Sequence, residues 1–140
     1  MKVLVAVDGS PFTKRMLAYL AAHEMWLADK HEYTVLHVVA SVPGRAAHMV
    51  DATTLRGYYD DEAEKVFKPL RGFFKRQAVE PTYVAKVGHA AETIARTADK
   101  GKYDLVVLGS HGHSTLANLV MGGTATKVVA QCSVPVLLIR

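Results

Sequence analysis

The alternation of five aliphatic, β-branched runs with segments of helical periodicity is the feature that most limits what this chain can fold into. The runs occupy residues 3–7, 33–39, 82–87, 105–108 and 134–139. Stretches long enough for helices lie between them, so the elements read β-α-β-α-β-α-β-α-β. Strands that each lead into a helix before the next strand predict an α/β fold with a parallel sheet. Several runs are apolar at nearly every position, as strands covered on both faces are. A chain of 140 residues supports one hydrophobic core rather than two, so residues 1–140 are expected to form one domain.

The helices carry their own signals. Ser10-Pro11 reads as an N-cap followed by proline in the first turn. In the second connection Ala63, Val66, Phe67, Leu70 and Phe74 recur at three and four residues and predict one buried face, with a kink at Pro69 and Gly72. The third helix should bury Ala91, Ile94, Ala95 and Ala98 and set Glu92 against Arg96 outside. The last should turn Ala125, Val128, Val129 and Cys132 inward. Residues 41–54 are the least regular and read as a loop. His23 shares a helical face with Met16, Leu20 and Leu27 and is expected to be a partly buried structural histidine.

Composition removes other classes. Half of the residues are apolar and 21% are charged, which argues against disorder. The single cysteine, Cys132, excludes an internal disulfide and any zinc site needing two thiolates. Lys and Arg total 17 against 13 Asp and Glu, a net charge of +4. That balance permits contact with anions but does not argue for nucleic acid. The first apolar run ends at Asp8, short of the roughly 7–15 apolar residues of a secretory signal. Nothing approaches the ~20 apolar residues of a membrane span. A soluble cytoplasmic protein with no nucleic-acid or membrane partner is the expectation.

Two places invite chemistry. Asp8-Gly9-Ser10 follows the first strand, where doubly wound sheets bind ligands. An acid there accepts hydrogen bonds from ribose hydroxyls or holds a hydrated cation, although Asp-Gly is also an ordinary turn. Gly109-Ser110-His111-Gly112 follows the fourth strand, and after nine residues Gly122-Gly123-Thr124 opens the final helix. Glycines let backbone N–H groups approach an anion closely, and the two turns together suggest a polyphosphate cradle.

The glycine pattern resembles that of nucleotide-binding universal stress proteins: a glycine, two residues, a glycine, nine residues, a glycine, then Ser or Thr. Gly109, Gly112 and Gly122 match the spacing, whereas Gly123 stands where the hydroxyl residue is expected and Thr124 follows one place later. The opening Lys2-Val3-Leu4-Val5-Ala6-Val7-Asp8-Gly9-Ser10, Leu36-His37-Val38, Gly88-His89-Ala90-Ala91 and the closing Val134-Pro135-Val136-Leu137-Leu138-Ile139 extend the resemblance over the whole chain, most weakly at residues 41–75. It implies a flavodoxin-like doubly wound domain with a five-stranded parallel sheet in the order 3-2-1-4-5. It further implies a stress-response regulator that binds ATP, or ADP or AMP, with a divalent cation possible beside the nucleotide. Ala6, Val7 and Asp8 would line the adenosine side, the Asp8 carboxylate at the ribose, with Val38 against adenine. Gly109, Gly112, Gly122, Gly123 and Thr124 would surround the phosphates, with His111 and His113 in the intervening loop. A homodimer through the last strand is also implied, since that strand falls at an apolar sheet edge.

Other motifs fail on their own residues. No Gly-x-x-x-x-Gly-Lys-Ser/Thr is present, so this is not a P-loop protein. His23-Glu24-Met25-Trp26-Leu27 lacks the second histidine of a zinc protease, and Gly109-Ser110-His111-Gly112 is one residue short of a nucleophile elbow. Five cations, Lys65, Lys68, Arg71, Lys75 and Arg76, follow a run of acids on one helix and read as a solvated face. No catalytic constellation is evident. The alternatives are a weak ATP hydrolase or phosphotransferase using the same pocket, and a nucleotide-free protein-interaction domain.

Overall fold

The computed structural model describes residues 1–28, 30–113 and 121–140. Most of the spacer between the two glycine turns, residues 114–120, therefore lies outside the described residues. The elements run β1 (Lys2–Ala6), α1 (Pro11–Ala22), α2 (Glu24–Leu27), β2 (Glu32–Val39), α3 (Gly44–Ala47), α4 (Ala52–Arg76), β3 (Thr82–Val87), α5 (Ala90–Lys100), β4 (Leu105–Gly109), α6 (Gly123–Gln131) and β5 (Val136–Ile139). The strands form one parallel sheet in the order β3-β2-β1-β4-β5. This is the expected α/β architecture and strand order.

Alternation along β1 divides the core in two. Val3, Val5 and Val7 pack with Met16 and Leu17 of α1 and with Ala63, Phe67, Leu70 and Phe74 of α4. Leu4 and Ala6 pack on the other face with Ala91, Ile94 and Ala98 of α5 and Ala125 and Val128 of α6. Helices thus cover both faces of the sheet, which is why the central strands are apolar throughout. On the α4 side, Tyr33 donates its buried hydroxyl to the Trp26 carbonyl, and burial pushes its pKa up to about 12.

Several expectations need correction. Pro69 and Gly72 do not interrupt α4, which is one helix through both. Pro69 is exposed, while Phe67, Leu70 and Phe74 anchor the helix on both sides of it to the sheet. Residues 41–54 are not all loop: they contain α3, and Asp51 caps the start of α4. His23 is exposed, because α1 ends at Ala22 and the extended backbone at His23 starts α2 in a new direction. Val129 is 46% exposed; only Ala125 and Val128 of α6 are buried, with Cys132 half-buried against the core beyond the helix end. Finally, β5 begins at Val136 rather than at residue 134, after Pro135, which has no N–H to give a ladder.

The five cations of α4 are all exposed. Glu62 meets Lys65 at 2.7 Å and Glu64 meets Arg71 at 3.0 Å, so the face is partly neutralised by its own acids.

Candidate functional site

β1 and β4 are neighbours up to the pair Ala6 and Leu108. Beyond it the chain from β1 enters α1 on one face of the sheet, whereas β4 leads toward α6 on the other. The divergence leaves a crevice outside the strand ends, at the point where strand order reverses. A cleft of about 360 Å³ occupies it, within the roughly 300–1,000 Å³ usual for small-molecule sites.

One wall is the turn after β1. Gly9 adopts φ +74°, a conformation that glycine takes without strain. This lets Asp8 fold back on its own chain: Oδ1 accepts from the Ser10 N–H at 2.9 Å and from the Thr13 hydroxyl at 3.0 Å. Ser10 stands at the N-cap of α1, yet its buried hydroxyl has no hydrogen-bond partner among the described residues. The expected capping bond is therefore absent, and the Asp8 carboxylate organises the turn instead. Oδ2 accepts no hydrogen bond among the described residues and lies beside Gly112.

The opposite wall is the pair of glycine turns, and its glycines are there for distinct reasons. A methyl group built on Gly112 would stand 2.6 Å from Asp8 Oδ2, and one on Gly109 2.9 Å from Phe12 Cβ. One on Gly122 would press on the main chain of His111 at 3.1 Å, and the Gly122 N–H donates to the Ser110 carbonyl at 2.6 Å. Nothing lies within 4 Å of the same position on Gly123. The histidines are fixed by local bonds: His113 Nε2 donates to the Asp8 carbonyl at 2.6 Å, tying the two walls together. His111 pairs Nδ1 with the Ser110 hydroxyl at 3.0 Å and stacks 4.9 Å from Phe12.

Strand ends form the floor. Val38 reaches it from β2, and Ala6 from the centre of the sheet. The Val7 N–H donates to the Leu36 carbonyl, and its own carbonyl accepts from His37 Nδ1 at 2.8 Å. The structure thus brings Ala6, Val7, Asp8, Val38, Gly109, His111, Gly112, His113, Gly122, Gly123 and Thr124 around one cleft. Thr13, Leu36, His37, Ala90, Ile94, Leu108 and Ala125 also line it and were not anticipated. Leu36 and Leu108 were findable as the register partners of Ala6, and Thr13 as the residue one turn beyond the Asp-Gly turn. Among the described residues no three His, Cys, Asp or Glu side chains converge to hold a metal ion, and no helix is long and apolar enough to cross a membrane.

These elements define a doubly wound α/β domain with a cleft at its reversal point, walled by an acid-bearing turn and by glycine turns. The model of the universal stress protein family matches residues 1–140, and the chain belongs to that family. It is 37% identical over 139 residues to a universal stress protein of Synechocystis sp., covering 99% of this chain but 42% of that protein's length. With a universal stress protein of Thermus aquaticus it shares 31% identity over 141 residues, 99% of this chain and 97% of the other. Among solved structures, the universal stress protein UspA from Lactobacillus plantarum superposes with a TM-score of 0.80 at 23% identity, covering 100% of this chain and 97% of that one. A family member from Arabidopsis thaliana, solved with AMP bound, gives 0.69 at 18% identity, with coverage of 99% and 90%. The Archaeoglobus fulgidus protein in complex with dAMP gives 0.69 at 20%, with coverage of 100% and 98%.

Proposed function

We propose that the cleft binds an adenine nucleotide, ATP first, and that the protein is a stress-response module whose conformation or partner changes with occupancy. The observation that carries this reading is the meeting of two distant segments. The Asp8 turn and the Gly109–Gly122 turns lie about a hundred residues apart in sequence, yet Asp8 Oδ2, which accepts no hydrogen bond among the described residues, abuts Gly112. A carboxylate oxygen left without a donor suits a ribose diol, and glycine turns at the start of α6 suit phosphates. Val38 offers an apolar surface to the base. The AMP and dAMP complexes of the two structural relatives support the ligand class. Binding and switching, rather than turnover, fits a cleft whose two histidines are already held by Ser110 and Asp8. The same reading includes a homodimer through β5 and a divalent cation accompanying the nucleotide. Mass spectrometry of small molecules released from the purified protein tests it. An adenine nucleotide at near-stoichiometric yield is expected, or uptake of added ATP, ADP or AMP if the protein purifies empty. Failure to take up any of the three overturns the reading, and steady conversion of ATP to ADP would favour an enzyme.

A further inference from the structure

The cleft does not end at Gly123. Ala90, Gly123 and Thr124 also line a second, largely polar groove of about 460 Å³ between the first turn of α5 and the length of α6. His89, Glu92, Lys127 and Gln131 lie along it. Lys127 follows Gly123 by four residues and Thr124 by three, so these positions share one face of α6. Lys127 is exposed and takes part in none of the ion pairs among the described residues. Glu92, the carboxylate in the groove, is bridged to Arg96 on its own helix, so its charge is already matched. Gly123 has no side chain and open space where one would begin. At Gly123, therefore, no side chain stands between the groove and the cleft.

We infer that this groove receives the terminal phosphate of a nucleoside triphosphate, and that Lys127 is the residue that distinguishes triphosphate from monophosphate. The inference rests on the nucleotide reading above. A monophosphate ends at the glycine turns; each further phosphate carries charge outward over Gly123 toward the ammonium. Lysine suits that task as a compact point charge with three rotatable donors. It also supplies, one helical turn on, what the residue at 123 cannot give. His89 and Gln131 offer polar edges on either side. Because the site is open to solvent, salt screens it and the effect is moderate.

The test compares ATP, ADP and AMP by calorimetry, in EDTA so that no divalent cation stands in for the ammonium, on wild type, Lys127→Gln, Lys127→Arg and the remote control Lys75→Gln. Lys127→Gln should weaken ATP about 3- to 6-fold and leave AMP within about twofold. Lys127→Arg should stay near wild type for both, and Lys75→Gln should move neither. Lys127 is exposed, so melting temperatures should not change. If Lys127→Gln leaves ATP unchanged, or lowers ATP and AMP together, while wild type binds both, the groove assignment is wrong and the nucleotide reading stands. If wild type binds none of the three, both are wrong.

Discussion

The two oxygens of Asp8 are placed differently: Oδ1 is taken by Ser10 and Thr13, and Oδ2 is left at the cleft. Asparagine keeps an Oδ1 acceptor for the turn while removing the charge, so Asp8→Asn separates the two roles. It should fold with a near-native melting temperature and lose about 1.5–3 kcal/mol of nucleotide binding by calorimetry. Equal affinities would take Asp8 out of the site. The glycines give a second residue-scale contrast. A methyl group at Gly112 meets Asp8 Oδ2, and that carboxylate cannot swing away without breaking its turn. Gly112→Ala should therefore weaken binding and lower stability. Gly123→Ser enters open space, so it should leave stability unchanged and, by adding a hydroxyl near the terminal phosphate, raise the preference for ATP over AMP about 2- to 12-fold. An unchanged or reduced preference contradicts the hydroxyl argument. In sequence Gly112 and Gly123 look alike, and spacing gave no means of telling a glycine packed against a carboxylate from one facing open space. The exposure of His23 has a related reason: helical periodicity assumes that the helix continues, and α1 stops at Ala22.

α4 shows where element-scale signals were faint. Its buried face begins only at Ala63, and the turns before it contain Thr53, Thr54 and Gly57, poor helix formers that read as loop. The cue was Asp51, whose carboxylate accepts the Thr54 N–H at 2.6 Å. That bond, with the Thr54 side chain next, holds the Asp51 pKa below its ordinary value of 3.8. A depressed pKa means that the folded state binds the proton less readily. The stabilisation is then complete above the ordinary value and is lost as pH falls through the folded one. Asp51→Ala should lower the melting temperature at neutral pH, and the gap from wild type should close once pH drops well below 3.8; a gap that persists into strong acid contradicts the cap. At the sheet edge, β5 pairs only with β4 among the described residues, and its Val136, Leu137 and Leu138 are only partly covered. Antiparallel pairing of two β5 strands would satisfy the outer N–H and C=O groups. Light scattering at micromolar concentration should give twice the 15.3 kDa chain mass, and a monomer mass refutes this interface.

For the whole molecule, the alternating pattern was enough for a parallel α/β sheet, because strands buried on both faces and amphipathic helices leave few other arrangements. Strand order was not in that pattern. Returning from β3 to place β4 beside β1 depends on non-local pairing, such as Val3 with Leu105, and it was readable only through resemblance to a family. The site shares this dependence, since it exists only where the return brings the Gly109 turn to Asp8. The most direct measurement is a ¹H–¹⁵N NMR titration of the wild-type protein with AMP. The account predicts saturable shifts gathered at Asp8, Gly9, Val38, Gly109, Gly112 and Gly122, with β3 and the outer face of α4 unmoved. No shifts at millimolar AMP, or shifts centred away from the ends of β1 and β4, would contradict it.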